Sequence, residues 1–361
     1  MATSGYSHAF PAVRGVQAGR AFYIAMCPLR VIPKIFVFDE EEVPPELRAQ
    51  RSLNRARVPD IARYLVANGN SYVLSALVAS VDARIGFTPA NSVGSDSSVG
   101  MLTIPMDARI LINDGQHRRA AIEEALRESP AIGQDNVPIV FFGDEGLKRS
   151  QQMFADLNKY AIRPSNSLGT LYDHRDADSG LARYLAQECA AFKGLTEMER
   201  STISNRSTKL FTLSSIKNAN RALLRKKTKL NISDAERDLA NDYWNAISNE
   251  IPDWGRAKER TVLTSELRQN FVHAHGIALH ALGIVGADLL SSEPKTWRTK
   301  LKPLRKLDWS RCNTGLWEGR AMVHGRISKA STNVRLTANA IKKVLGLRLS
   351  EEEKRMEKEA K

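Results

Sequence analysis

The sequence predicts an α+β protein in which a mixed-sheet domain is followed by a mostly helical region. In the first 146 residues, short apolar or β-branched runs alternate with segments whose apolar residues recur at helical spacing. After about residue 147, helical spacing continues almost throughout. We therefore predict three parts: a mixed α+β domain over 1–146, a helical region over 147–349, and a charged tail over 350–361. The helical region contains two blocks rich in Lys and Arg and is for that reason predicted to be a basic, DNA-binding region.

Periodicity and turn residues predict the elements of the first domain. The predicted strands cover 22–26, 35–38, 72–81, 99–104, 110–112 and 137–142, with Pro28 and Pro33 separating the first two. Helical spacing is found over 45–53, over 58–66 and directly after Gly115. The Ser-, Gly- and Asp-rich stretch 91–100 predicts an exposed loop.

The C-terminal region is predicted to be a series of capped helices. Ser165 or Ser167 is suited to cap one helix, and Thr212 is suited to cap another that runs to residue 224. Further helices are predicted over 147–157, 233–247, 261–290 and 336–345. The mixed-charge tail predicts a frayed, solvated helix.

The net charge of +13 is concentrated in two basic blocks. The stretch 200–230 contains nine Lys or Arg and no Asp or Glu, and the stretch 295–335 contains eleven and two. Because an ordinary soluble surface mixes both signs, the blocks favour a polyanion partner, double-stranded DNA above all; a solvated lysine-rich surface is the alternative. The candidate DNA contacts of the first block are Arg206, Lys209, Lys217, Arg221, Arg225, Lys226, Lys227 and Lys229.

Composition predicts a cytoplasmic, nucleoid-associated protein. No apolar run is long enough to span a membrane, and three widely spaced cysteines argue against a disulfide framework. His273, His275 and His280 fall on one predicted helix, but no carboxylate stands at ligand spacing, so we predict core or interface histidines and no metal. No conventional phosphate-binding loop is present.

The stretch 110–128 predicts a strand that leads through a tight turn into a helix. Gly115 tolerates the positive φ of such a turn, and the helix that follows exposes free backbone amides at its start. Together with Arg118 and Arg119, these amides predict an anion site, most naturally for a phosphate. The alternative is a scaffold turn with two solvated arginines.

The five residues from Asp114 to Arg118 match the signature of DGQHR-domain proteins, and the surrounding chain is similar to DndB, the member associated with DNA phosphorothioation. Further matching segments are 46–51, 53–65, 150–158, 171–176 and 209–214, so the resemblance covers roughly the first two-thirds of the chain. The signature and the order of elements also resemble the ParB/sulfiredoxin fold, which implies a sheet domain of that kind.

The resemblance implies a DNA-binding repressor of a gene cluster for DNA phosphorothioate modification. The alternative is a ParB-like accessory subunit of the DNA sulfur-modification machinery, a weak NTPase that takes ATP or CTP, with catalytic residues unknown. The candidate nucleotide or phosphate contacts are Asp114, Gly115, Gln116, His117, Arg118, Arg119, Gln151, Gln152, Asn158 and Arg51. Because operators are commonly pseudo-palindromic, we also predict a homodimer, with the apolar helix 272–290 as one interface and an intramolecular core as its alternative role.

Overall fold

The computed structural model describes residues 6–36, 54–90, 98–143, 152–153, 156–157, 164–225 and 231–359. It divides into two compact units, Met1–Ile162 and Arg163–Lys361. The boundary predicted between residues 146 and 147 lies outside the described residues and stays a prediction.

A seven-stranded mixed sheet organises the N-terminal unit, as predicted. Its strands are β1 (Ser7–Gln17), β2 (Arg20–Pro28), β3 (Leu77–Val81), β4 (Gly86–Pro89), β5 (Val99–Pro105), β6 (Ile110–Asp114) and β7 (Asn136–Gly143). Across the sheet their order is β4-β5-β1-β2-β7-β3-β6. Within this sheet, the described strand pairs are antiparallel except β3 with β7, which is parallel.

Helices and sheet of this unit share one apolar core. The helices are α1 (Ile32–Ile35), α2 (Val58–Ala67) and α3 (Gln116–Glu128). Leu65 of α2 and Ile122 of α3 are fully buried, together with Leu77 and Phe141 of the sheet. The signature turn therefore stands on a rigid base, because it joins β6 to α3 and both contribute to this core.

Two predicted strands differ from the structure. The strand predicted over 35–38 is wrong at Ile35, which ends α1; Pro33 lies in the first turn of that helix, where its missing N–H costs nothing. The strand predicted over 72–81 begins only at Leu77. β1 was not predicted, because Pro11 and Gly15 resemble strand breakers.

The C-terminal unit is mostly helical, as predicted. Its helices are α4 (Asn166–Tyr172), α5 (Ala177–Glu188), α6 (Leu213–Leu223), α7 (Asp234–Glu250), α8 (Pro252–Lys258), α9 (Thr264–Asn270), α10 (Gly276–Ser292), α11 (Trp297–Lys300), α12 (Thr314–Trp317), α13 (Ser331–Val344) and α14 (Glu351–Glu359). Two short strand pairs accompany them: β8 (Thr196–Glu197) with β9 (Phe211–Thr212), and β10 (Met322–Val323) with β11 (Arg326–Ile327).

Local capping signals located several of these helices correctly. The Ser165 hydroxyl accepts a hydrogen bond from the amide of Leu168, and the Thr212 hydroxyl accepts one from Ser215. Ser233 and Glu236 form a reciprocal capping box at the start of α7. Such caps are visible in the sequence because donor and acceptor lie within three residues of each other.

The apolar helix α10 forms the centre of the C-terminal core. It packs against α6 and α13, and a Cβ on Gly283 would lie 2.2 Å from the Ala219 carbonyl oxygen. Of the two roles predicted for this stretch, the structure shows the intramolecular core. The homodimer stays a prediction. The single helix predicted over 261–290 is wrong, because the chain is interrupted between α9 and α10. No helix within the described ranges is long and apolar enough to cross a membrane.

Candidate functional site

The signature turn has the predicted strand-glycine-helix geometry. β6 ends at Asp114, Gly115 has a φ of +108°, and α3 begins at Gln116. A Cβ at Gly115 would lie 2.4 Å from Leu77 Cδ2, so both the backbone angle and the close packing require glycine.

Both arginines of the turn make bonds inside the protein. Arg118 Nη2 lies 2.5 Å from Asp114 Oδ2, and Arg118 Nη1 donates to the Ser75 hydroxyl. Arg119 Nη1 pairs with Glu123 Oε2 at 2.6 Å, and its Nη2 donates to the carbonyls of Pro33 and Phe36, each at 3.3 Å. These bonds brace the turn against its neighbours, so an anion bound here would have to share or displace them.

The other predicted phosphate contacts are placed as follows. The Gln116 side chain is buried, and its Nε2 donates to the Ile112 carbonyl at 3.4 Å. His117 Nε2 accepts a hydrogen bond from the Asn54 amide at 3.1 Å. Gln152 Nε2 donates to Asp156 Oδ1 at 2.7 Å. Arg51, Gln151 and Asn158 lie outside the described residues, and phosphate binding at the turn stays a prediction.

Helix α6 carries two of the predicted DNA contacts, Lys217 and Arg221, and a third, Arg225, follows its end; each of the three is ion-paired. The pairs are Lys217 Nζ with Asp176 Oδ2 at 2.5 Å, Arg221 Nε with Asp178 Oδ2 at 3.2 Å, and Arg225 with Asp288. Partial burial pushes the pKa of Asp176 up, but hydrogen bonds from Lys217 and Ser179 outweigh burial and hold that pKa below its ordinary value. Block 200–230 contains no acidic residue, yet carboxylates from other parts of the chain neutralise these cations.

The remaining predicted DNA contacts differ in their surroundings. Lys209 Nζ donates to the Gly194 carbonyl at 2.8 Å. The Arg206 side chain is exposed and forms no ion pair or hydrogen bond with any described residue. Lys226, Lys227 and Lys229 lie outside the described residues.

Two arginines that the sequence analysis did not single out connect the two basic blocks. Arg268 is only 8% exposed. Its guanidinium donates to the backbone carbonyls of Ser204, Asn205, Ser207 and Lys209. Arg311 donates to the carbonyls of Arg268, Gln269 and Gly325. The loop 204–209 and the turn between β10 and β11 are thereby tied to the same pair of arginines.

We call Arg206, Arg268, Arg311 and Arg326 the arginine patch. Arg206 and Arg326 are exposed, and none of the four is ion-paired to a carboxylate within the described part of the chain. The neighbouring His275 responds to this positive charge. The pKa of His275 is lowered to about 4, chiefly because the ring is buried. Electrostatic interactions with Arg311, His273 and Lys329 lower it further.

The positive charge of the protein belongs to the C-terminal unit. Residues 163–361 contain 36 Lys or Arg and 23 Asp or Glu, whereas residues 1–162 contain 17 of each. The whole net charge of +13 is therefore carried by the unit that holds the arginine patch.

Comparison with known proteins identifies the family. The family model described as DndB, DNA-sulfur modification-associated, matches residues 10–348. The chain belongs to the DndB family. The match spans both units of this DndB-family protein and extends well into the last third, where the sequence resemblance was diffuse. Neither a curated protein nor a solved structure matches, so the likeness to the ParB/sulfiredoxin fold stays a prediction.

The histidines of this DndB-family protein are not arranged along one helix as predicted. His273 is buried; its Nδ1 accepts from Trp254 Nε1 at 3.3 Å, and its Nε2 lies 3.3 Å from Asp253 Oδ2. His275 precedes α10, and His280 lies on it. Among the residues with described positions, no group of three His, Cys, Asp or Glu is placed to hold a metal ion.

Proposed function

We propose that this DndB-family protein is a DNA-binding repressor of a gene cluster for DNA phosphorothioate modification, with the arginine patch as a contact to the DNA backbone. The family match connects the chain to DNA sulfur modification. The observation that carries the proposal is that two basic blocks, distant in sequence, meet at arginines that have no carboxylate partners among the described residues.

The ion pairs decide which cations are suited to bind phosphate. A cation that neutralises a phosphate gains from counterion release, but one that must first leave a carboxylate loses part of that gain. Lys217 and Arg225 are in this second position, because their terminal nitrogens face Asp176 and Asp288. Arg221 faces Asp178 through its Nε, so it also shares part of its charge with a carboxylate. The exposed Arg206 and Arg326 are not in this position, and Arg268 and Arg311 hold their loops in place. We therefore place the main DNA contact at the patch rather than along α6.

The contact is tested with an Arg206→Ala/Arg326→Ala double variant and a labelled duplex from upstream of the modification genes. The slope of log K against log salt is negative, and each lost phosphate contact reduces its magnitude by about 0.9. We therefore expect a slope about 2 less steep in the double variant, and weaker binding. Arg63→Ala is the matched control, since Arg63 is exposed and lies in the unit without net charge. An unchanged slope in the double variant contradicts the patch.

Repression is distinguished from the accessory role by specificity. A repressor is expected to prefer the upstream duplex over a scrambled one by roughly 10³-fold or more, and loss of the protein is expected to raise transcription of the cluster. Equal binding of both duplexes, accompanied by ATP or CTP hydrolysis, supports the accessory subunit instead. That alternative places the nucleotide at the signature turn and requires Arg118 to exchange Asp114 for a phosphate.

A further inference from the structure

A cavity of about 530 Å³ opens in the C-terminal unit near the first turns of α4, α6, α10 and α13. Cavities of about 300 to 1,000 Å³ are typical of small-molecule sites. Most of its wall is polar, with the hydroxyls of Ser201, Ser214 and Ser215 and the amide of Asn218. The amide of Asn218 makes no side-chain hydrogen bond to any described residue, so it is available to a ligand.

Three cations and a histidine line the same cavity. Arg221 approaches Asp178 most closely through its Nε, and neither of its Nη groups donates a hydrogen bond to a described residue. Lys329 is exposed and has no ion pair there. Lys217 is held in place by Asp176, and its ammonium also donates to Ser179 at 3.0 Å. The cavity therefore brings cations from both basic blocks to one wall.

The carboxylates near the cavity already have partners: Asp173 and Asp176 accept from backbone amides, and Asp178 pairs with Arg221. Asp173 is the one carboxylate that lines the described wall, and its Oδ1 accepts from the amides of Arg175 and Asp176 at 3.1 and 3.2 Å. Asp176 caps α5, and Asp178 lies in the first turn of that helix, where the helix dipole stabilises negative charge. Arg221, Lys329, Asn218 and Ser201 thus keep donors towards the cavity that bind no other described residue, since the Ser201 hydroxyl only accepts a hydrogen bond, from the Asn166 amide.

We propose that this cavity binds a phosphate-bearing ligand of nucleotide size. The Nη groups of Arg221 and the ammonium of Lys329 meet the phosphate oxygens, and the Asn218 amide and the Ser201 hydroxyl add neutral donors. The negatively charged Asp173 accepts a hydrogen bond from a sugar hydroxyl of the ligand. Free nucleotide and the sugar-phosphate of DNA offer this same chemistry, and the experiment separates the two sources.

The test uses the full-length protein and calorimetry with AMP, ATP, CTP and a short duplex as separate probes. Asn218→Asp adds a negative charge to the wall, and Lys329→Gln removes a positive one; both residues are exposed, so the fold should be retained. We expect each variant to bind the probe with an affinity lower by about tenfold or more. Asn249→Asp and Lys295→Gln are the matched controls, because both are exposed and lie outside the cavity.

The outcomes distinguish the sources. If the cavity variants bind a nucleotide more weakly but bind the duplex as before, the ligand of the cavity is a free nucleotide. If they bind the duplex more weakly but bind the nucleotides as before, the ligand is DNA. Probes that bind the cavity variants as tightly as the original protein, or that weaken equally in the controls, overturn the proposal. Because the arginine-patch variants leave the cavity unchanged, failure here is separate from failure of the proposed DNA contact.

Discussion

His275 illustrates how one residue reports on its electrostatic surroundings. Its Nε2–H donates to the Arg268 carbonyl at 2.7 Å, a bond that favours the protonated ring slightly. Burial acts more strongly in the opposite direction, and Arg311, His273 and Lys329 add to it, so the pKa falls from 6.5 to about 4. The neutral ring is therefore the form that the folded protein prefers at neutral pH.

We expect the free energy of unfolding to decrease as the pH falls from about 6.5 towards 4. In this window the unfolded chain binds the His275 proton more tightly than the folded one, and the loss from this group is at most about 3 kcal/mol. His275→Gln keeps a donor for the Arg268 carbonyl but does not titrate, so its stability should fall less steeply in urea titrations. His174→Gln, at an exposed position, is the control. Equal pH dependence in His275→Gln and the original protein would falsify this assignment.

At the scale of an element, α14 corrects the prediction of a solvated tail. Glu357 is buried, and its carboxylate binds the Arg320 guanidinium through two bonds of 2.5 and 3.0 Å and also pairs with Lys343. Burial pushes the pKa of Glu357 up, but the bonds from Arg320 and Lys343 outweigh burial and lower it. The helix is thus held against α13 and against Arg320, which precedes α13, by ion pairs to one buried carboxylate.

Removing that buried charge should destabilise the C-terminal unit. Glu357→Gln leaves two cations without their carboxylate, and we expect a loss of about 2 kcal/mol or more in denaturant unfolding. Glu352→Gln is the matched control: Glu352 is 71% exposed and pairs with Arg335 at the surface, where such a pair contributes under about 1 kcal/mol. Equal losses in the two variants would show that α14 is held by something other than these ion pairs.

Elements were predictable where their cause is local. The caps at Ser165, Thr212 and Ser233 and the glycine at 115 each depend on a few neighbouring residues. Partners that are distant in sequence could not be predicted, because periodicity carries no information about them. The carboxylate that faces Lys217 lies 41 residues earlier, at Asp176, so counting charges within a block misjudged α6. The arginine patch was missed for the same reason.

At the scale of the whole molecule, the two units have separate hydrophobic cores. The larger cluster of buried apolar residues runs from Leu181 to Leu345, and the other runs from Phe10 to Phe141, with no residue in common. The units also differ in charge, since only the C-terminal one is basic. Stability and polyanion binding should therefore respond separately to substitutions in each unit.

This separation predicts two thermal transitions in scanning calorimetry, each sensitive to a glycine of its own unit. In Gly115→Ala, the alanine must adopt the positive φ of the turn, and its Cβ lies 2.4 Å from Leu77 Cδ2. In Gly283→Ala, the Cβ lies 2.2 Å from the Ala219 carbonyl oxygen. Each change should cost about 2 kcal/mol or more and lower one transition by roughly 4–8 °C, leaving the other in place. Gly255→Ala is the control, because a Cβ there meets no atom within 4 Å. If either substitution lowers both transitions equally, the cores unfold as one cooperative unit.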